Sequence, residues 1–178
     1  MPHPPIDLEW LNGLTREDFA RELGFVFEGP PWIVEQAWED RPFDDPDQLL
    51  AALVAVMERA PAEQKVALIR AHPDLVGRAA LAGTLTPEST GEQAAAGLGN
   101  LAAEDIAAFN DLNARYHDRF GFPFVICARE NKKASILAGF AERLTHSRDE
   151  EIAAALREVA KIARLRLLDR LAPTAGQG

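Results

Sequence analysis

A histidine followed by proline and aspartate, His72-Pro73-Asp74, is one place where the sequence could support acid–base chemistry. Apolar spacing predicts a helix from Pro61 that ends near His72, because Pro73 disfavours helical geometry in the residue before it. An imidazole held at a helix end can face a pocket, and histidine titrates near neutrality, which suits proton transfer. The alternative is a histidine that only interacts favourably with the helix dipole.

The run Ser89-Thr90-Gly91-Glu92-Gln93 has two interpretations. Ser89-x-x-Glu92 has the pattern of a capping box that begins a helix. The same helix start would point backbone N–H groups outward, where they can bind an anion or a carbonyl, and Gly91 would permit close approach of a ligand. The first interpretation makes Glu92 structural, and the second places it in a binding site.

Arg166 lies on a face of the last predicted helix where charge is not expected. At 100° per residue it falls within about 20° of Val159 on the apolar stripe, whereas Arg164 falls on the opposite face. An inward arginine needs a carboxylate, backbone carbonyls or an anionic ligand as its partner. The alternative is a stem that reaches back to solvent. The stripe contains Ile152, Leu156, Val159 and Ala163.

Two further residues have mainly structural interpretations. Asn113 lies between Phe109 and Tyr116 on an apolar helix face, where it can satisfy backbone groups. Cys127 has no histidine close by in sequence, so a buried inert thiol is favoured over a nucleophile. The four histidines lack metal-ligand spacing and no nucleotide-binding motif occurs, so we expect neither kind of site.

We expect helices to position these residues, because the helix-start and helix-breaking signals along the chain are those of a helical protein. Residues 74–88 are typical of a loop because glycines and Pro87 interrupt them, and residues 103–119 have helical apolar spacing. The one β-prone run, Phe124-Val125-Ile126-Cys127, could equally be an extended buried segment. Helix starts are predicted at Thr15-x-x-Asp18, Asp45-Pro46, Pro61 and Ser147-x-x-Glu150.

Length and charge restrict the class of protein. We expect one domain over residues 1–178, with a core at about 8–171 and flexible ends. The net charge of −9 argues against nucleic acid as the main partner. A single cysteine excludes an intramolecular disulfide and fits a cytoplasmic protein, as does the lack of a signal-peptide pattern, a peroxisomal address or an apolar run long enough to span a membrane.

Several segments, taken together in their order and spacing, resemble the OHCU decarboxylases, where OHCU is 2-oxo-4-hydroxy-4-carboxy-5-ureidoimidazoline. The resemblance covers about residues 8–171. No single motif is decisive, but the ordered set is specific. The motifs are Leu11-Asn12-x-Leu14, Pro31-Trp32, Arg41-Pro42-Phe43, Ala71-His72-Pro73-Asp74-Leu75, Ser89-Thr90-Gly91-Glu92-Gln93, Leu112-Asn113-x-x-Tyr116, Phe120-Gly121-Phe122-Pro123-Phe124-Val125-Ile126 and Lys161-Ile162-Ala163-x-Leu165-Arg166-Leu167.

The resemblance implies an all-α homodimeric enzyme, without metal or organic cofactor, that makes (S)-allantoin from OHCU in uric acid degradation. It implies a catalytic role for His72, with Glu92 as the second proton-handling residue. It also implies that backbone groups of the Phe-Val-Ile segment contact the substrate ring. The substrate-binding residues implied are Pro73, Ser89, Thr90, Gly91, Gln93, Phe124, Val125, Ile126, Cys127, Ala128 and Arg166.

Two other functions remain open from the sequence. A helical binding module without catalysis would explain the helix caps and the acidic surface, but not an inward arginine together with the two polar motifs. An enzyme of the same fold could act on a related ureide. An assay with freshly generated OHCU separates these alternatives.

Overall fold

The computed structural model describes residues 3–172, and within this range the chain forms ten α-helices and two short 3-10 helices. The prediction of an all-α fold is therefore confirmed. The α-helices are α1 (Leu8–Asn12), α2 (Arg16–Glu22), α3 (Trp32–Ala37), α4 (Pro46–Arg59), α5 (Ala62–Arg70), α6 (Arg78–Ala82), α7 (Pro87–Ala95), α8 (Ala103–Phe120), α9 (Lys133–Arg143) and α10 (Arg148–Arg170). The 3-10 helices are Trp38–Asp40 and Ala128–Glu130.

Strand structure is confined, in the described part of the chain, to one isolated bridge between Ile6 and Leu171. The β-prone run at residues 124–127 forms neither helix nor strand, and all of it except Ile126 is buried, which favours the alternative interpretation as an extended buried segment. None of the helices formed by residues 3–172 combines the length and apolar character that crossing a membrane requires.

Three predicted helix starts have their expected caps. The Thr15 hydroxyl accepts a hydrogen bond from Asp18 N, and the Asp45 carboxylate accepts one from Gln48 N (2.8 Å). Ser147 forms the complete reciprocal box with Glu150, since each side chain accepts the other residue's backbone N–H. These caps satisfy N–H groups that have no partner inside the helix.

Two local predictions were wrong. Residues 74–88 are not wholly a loop, because α6 forms at Arg78–Ala82. Ser89 does not begin a helix: α7 starts at Pro87, and the hydroxyl of Thr86 accepts the Ser89 N–H at 3.2 Å. Thr86 and Pro87 hold the N-cap and the first helical position, where these residue types are favoured, so the competing Ser-x-x-Glu pattern lies within the helix.

The described chain divides into two compact units, residues 3–61 with 160–172, and residues 62–159. The single domain expected from the sequence stays a prediction, and the expected flexible ends fall on residues 1–2 and 173–178, outside the described range.

In the first unit, Asn12 exchanges two hydrogen bonds of 2.9 Å with the backbone of Phe43, and Arg41 donates to the carbonyls of Asn12 and Trp38. Two sequence motifs of the resemblance are thus bonded to each other in this unit.

The second unit has an aromatic core on α8 and α9. The ring of Phe124 stacks on that of Phe140 with centroids 3.8 Å apart, and Tyr116 meets Phe124 edge-on at 5.4 Å. Gly121, with φ of +79°, ends α8 in the left-handed conformation that favours glycine. The chain then turns into residues 122–125, which are buried among these rings.

Candidate active site

His72 follows the end of α5 and is 8% exposed. Its Nδ1 lies 2.8 Å from the carbonyl oxygen of Leu68. Because a carbonyl only accepts, Nδ1 carries the hydrogen in this contact. The bond therefore fixes the tautomer of the neutral ring that carries its hydrogen on Nδ1. In this tautomer Nε2 is the nitrogen that can accept a proton.

The turn after His72 is held by side chains from two helices. The Gln93 amide, on α7, accepts from Val76 N (3.1 Å) and donates to the Asp74 carbonyl (3.3 Å). Asn113, on α8, donates to the Leu75 carbonyl at 2.9 Å. Its predicted role in satisfying backbone groups is thus confirmed.

The same turn has an unusual backbone conformation. Val76 has a φ of +53°, which is costly for a β-branched residue. A Cβ at Gly77 would lie 2.7 Å from the Cβ of Asp74, so the turn requires glycine there. Such strain persists only where surrounding contacts over-determine the conformation, and the Gln93 amide supplies two of them.

The residues of the polar motif at 89–93 differ in how deeply α7 buries them. Ser89 and Gln93 are buried and Glu92 is half-buried, whereas Thr90 and Gly91 are exposed. The Thr90 hydroxyl donates to the carbonyl of Thr86, and a Cβ at Gly91 would meet nothing within 4 Å. The structure therefore buries Ser89 and Gln93 on one face of α7, and Gln93 is the residue of this motif that contacts the His72 turn.

The end of the 124–128 segment also lies next to α7. Helix α7 packs against the 3-10 helix Ala128–Glu130, and Lys132 Nζ donates to the Ala95 carbonyl. The carbonyl of Cys127 accepts from Asn131 Nδ2 at 2.9 Å. Residues predicted from three separate motifs thus converge around α7.

Ile126 differs from the residues beside it. It is half-buried, whereas Phe124, Val125, Cys127 and Ala128 are buried. Its backbone N–H and C=O take part in none of the hydrogen bonds formed among residues 3–172. The carbonyls of Val125 and Cys127 are both bonded. The Val125 carbonyl and the Ile126 N–H belong to one planar trans peptide and point in opposite directions, so the Ile126 N–H is directed away from Arg143.

Cys127 is 1% exposed, and burial raises the pKa of its thiol. A backbone hydrogen bond from Glu130 opposes this rise in pKa, and the charges of Glu130, Glu158 and Glu92 add to it. The thiol therefore stays protonated near neutral pH, which supports the interpretation of Cys127 as an inert buried group.

Arg166 belongs to the first unit and is 4% exposed, as the apolar stripe predicted. Its Nη1 donates to the carbonyl of Phe25 (3.2 Å) and its Nη2 to the carboxylate of Glu28 (3.1 Å). The alternative in which its stem reaches out to solvent is thus wrong. Of the partners considered from the sequence, the structure supplies both a carbonyl and a carboxylate.

We predict that Arg166→Ala lowers the affinity for substrate more than Arg164→Ala, because Arg164 is exposed. Arg166→Lys should restore little of the loss, since lysine lacks the planar guanidinium fork. Steady-state kinetics on the folded variants test this prediction. Equal KM and kcat in both alanine variants would contradict a role for Arg166 in substrate binding.

One group of polar residues escaped the sequence analysis. Arg143 and Glu151 form a buried ion pair at 2.8 Å, and Glu151 also accepts from the Tyr116 hydroxyl. The sequence shows Glu151 only as one of several acids in the first turn of α10, a common position for acidic residues. Burial was the missing signal, and it is visible only in three dimensions.

The chain is similar in sequence to known proteins of one family. The family model described as OHCU decarboxylase matches residues 12–168. The OHCU decarboxylase of Amia calva is 44% identical over 164 residues, which are 92% of this chain and 94% of that protein.

Two solved structures are similar in fold. A crystal structure of (S)-allantoin synthase has a TM-score of 0.75 and 28% identity; the match covers 94% of this chain but 54% of that one. A crystal structure of OHCU decarboxylase in the presence of (S)-allantoin has a TM-score of 0.67 and 22% identity, covering 82% of this chain and 94% of that one. The extent of the family match and the identity with the Amia calva protein lead to one conclusion: this chain belongs to the OHCU decarboxylase family.

Proposed function

We propose that this chain decarboxylates OHCU to (S)-allantoin in uric acid degradation. The observation that carries the proposal is the position of His72, whose tautomer is fixed by the Leu68 carbonyl and whose following turn is bonded to Gln93, the neighbour of Glu92 on α7. Membership of the OHCU decarboxylase family names the substrate that suits this arrangement.

In the proposed reaction, the bond between the ring carbon and its carboxyl group breaks and CO2 leaves. The electron pair of that bond spreads over the adjoining imine and carbonyl of the substrate, so the substrate acts as its own electron sink. A proton is then delivered to one face of the ring, which gives a single enantiomer. The protein must orient the ring, stabilise the developing charge and place this proton.

We assign the proposed roles from the family resemblance and the chemistry of each group. His72 Nε2 and the Glu92 carboxylate handle protons. The backbone edge at Ile126 and the hydroxyl of Ser89 supply short polar contacts to the ring and its ureido group. Arg166 holds an anionic or carbonyl group of the substrate. Gln93 acts through the backbone of the His72 turn, because both ends of its amide bond that turn.

Freshly generated OHCU, followed by circular dichroism, tests the activity. We expect rapid formation of (S)-allantoin against the slow spontaneous reaction. A chain that leaves the rate and the chirality unchanged would be a binding module, and turnover of another ureide alone would indicate a different substrate.

We predict that the activity survives exhaustive chelation. Within residues 3–172, no three His, Cys, Asp or Glu side chains are grouped so that they could hold a metal ion. The assay is repeated after dialysis against a strong chelator, with untreated enzyme as control. Loss of turnover that a divalent ion restores would contradict the prediction.

We further propose that the enzyme is a cytoplasmic homodimer. The family resemblance supports the dimer, and the single cysteine is compatible with a reducing compartment. Light scattering in solution tests the oligomeric state, and fractionation of the source cells tests the location.

A further inference from the structure

Four polar side chains form one hydrogen-bonded group in the core of the second unit. We call it the Glu151 network, and its members are Tyr116, Arg143, His146 and Glu151. The Glu151 side chain is 0% exposed. One of its oxygens accepts from the Tyr116 hydroxyl and from Arg143 Nε (2.8 Å), and the other lies 2.8 Å from His146 Nδ1. A buried carboxylate needs such partners to replace its lost hydration.

The Tyr116 hydroxyl is a permanent donor in this network. Burial, followed by its hydrogen bond to Glu151, raises the pKa of Tyr116 far above its usual range. The phenol therefore stays protonated, and its hydrogen bond to the carboxylate holds Glu151 in place.

Arg143 connects the network to the 124–128 segment. While its Nε is bonded to Glu151, its Nη1 donates to the carbonyl of Val125. The guanidinium carbon also lies 4.3 Å from the centre of the Phe124 ring, which stacks on Phe140. The planar fork is thus fixed at one end by a buried carboxylate and at the other by the backbone of the segment. An ammonium group has no geometry that reproduces both contacts.

The segment depends on this contact because it has no regular backbone hydrogen bonding of its own. Residues 124–127 lie in neither helix nor strand. The carbonyl of Cys127 is held by Asn131 and by the N–H of Glu130. Arg143 supplies the corresponding contact two residues earlier, so the Ile126 edge between them has a defined direction.

We propose that Arg143, oriented by Glu151 and Tyr116, is a positioning residue that fixes the Val125 carbonyl and thereby aligns the Ile126 backbone edge for the substrate. Its kinetic consequence rests on the decarboxylase function proposed above. Its structural consequence, the orientation of the Ile126 peptide, concerns this chain alone. The two can therefore be tested separately.

The experiment compares Arg143→Lys with Arg148→Lys in the full chain. Arg148 is a matched control, since it also donates to a backbone carbonyl, that of Phe120 (3.2 Å), and lies over the ring of Phe122, but it does not touch the segment. We expect Arg143→Lys to lower kcat by about 10- to 100-fold, because a displacement of about 1 Å can cost on the order of 100-fold. The Ile126 amide resonance of ¹⁵N-isoleucine-labelled protein should shift. Arg148→Lys should stay within about twofold of wild type, as expected of a surface substitution.

Unchanged kcat together with an unmoved Ile126 resonance in folded Arg143→Lys would overturn the proposal, and so would equal losses in the two lysine variants. If Arg143→Lys does not fold, Tyr116→Phe decides, because it removes only the hydroxyl, one of the three groups that bond the Glu151 carboxylate. We expect this variant to lower kcat by about three- to tenfold and to shift Ile126; wild-type values for both would overturn the proposal. If wild type itself does not act on OHCU, the proposed function fails, and the Ile126 resonance alone decides.

Discussion

Replacing His72 with alanine is expected to lower the enzymatic decarboxylation of OHCU by about 10²–10⁴-fold, the usual contribution of a positioned acid or base. The ring is buried and its Nδ1 is committed to Leu68, so the loss follows from the missing Nε2 rather than from a missing surface charge. The rate of (S)-allantoin formation, corrected for the spontaneous reaction, gives the measurement.

A second substitution separates catalysis from folding. His72→Asn keeps a donor near the position of Nδ1, so the bond to the Leu68 carbonyl can persist, but it has no group that titrates near neutrality. We expect the same loss of rate with a native circular dichroism spectrum. His3→Ala, which removes an exposed histidine, serves as the control. A wild-type rate in His72→Asn would overturn the catalytic assignment.

Glu92→Gln is expected to lower the rate by at least about 100-fold while leaving stability nearly unchanged. The N-cap of α7 is Thr86, so Glu92 lies inside the helix and has no capping role to lose. Glutamine has almost the same helix propensity and shape as glutamate. The substitution therefore removes mainly the charge and the ability to accept a proton.

The matched control for this variant is Glu88→Gln, on the first turn of the same helix. Thermal unfolding of both variants should remain close to wild type, and only Glu92→Gln should be slow. If the two variants form (S)-allantoin equally fast, Glu92 takes no part in proton transfer, and the catalytic role proposed for it is wrong.

Local signals predicted the starts of α2, α4, α5 and α10. Asp45-Pro46 and Ser147-x-x-Glu150 succeed because a cap involves residues only a few positions apart, so the pattern contains the whole interaction. Thr86-Pro87 has the same kind of signal as Asp45-Pro46. It was missed because Ser89-x-x-Glu92 offers a second, equally local pattern, and only the surrounding structure selects between the two.

The candidate site was predictable in its residue types but not in its contacts. Helical spacing placed Arg166 inward, yet its partner Glu28 lies 138 positions away in sequence. The pairing of Arg143 with Glu151 is similar, since these residues lie on different helices and each looks like a surface charge in its own helix. Periodicity tells which way a side chain faces, whereas the identity of its partner depends on tertiary packing.

The burial of Cys127 has a practical consequence for spectroscopy. Thiol-directed dyes react with the thiolate, and the only cysteine of the chain is both inaccessible and held in its protonated form. A cysteine introduced by Gly91→Cys would have open space around its Cβ and would lie next to Glu92. Such a variant accepts a single fluorophore without removal of the native thiol, and the emission of this probe would report ligand binding at α7 in real time.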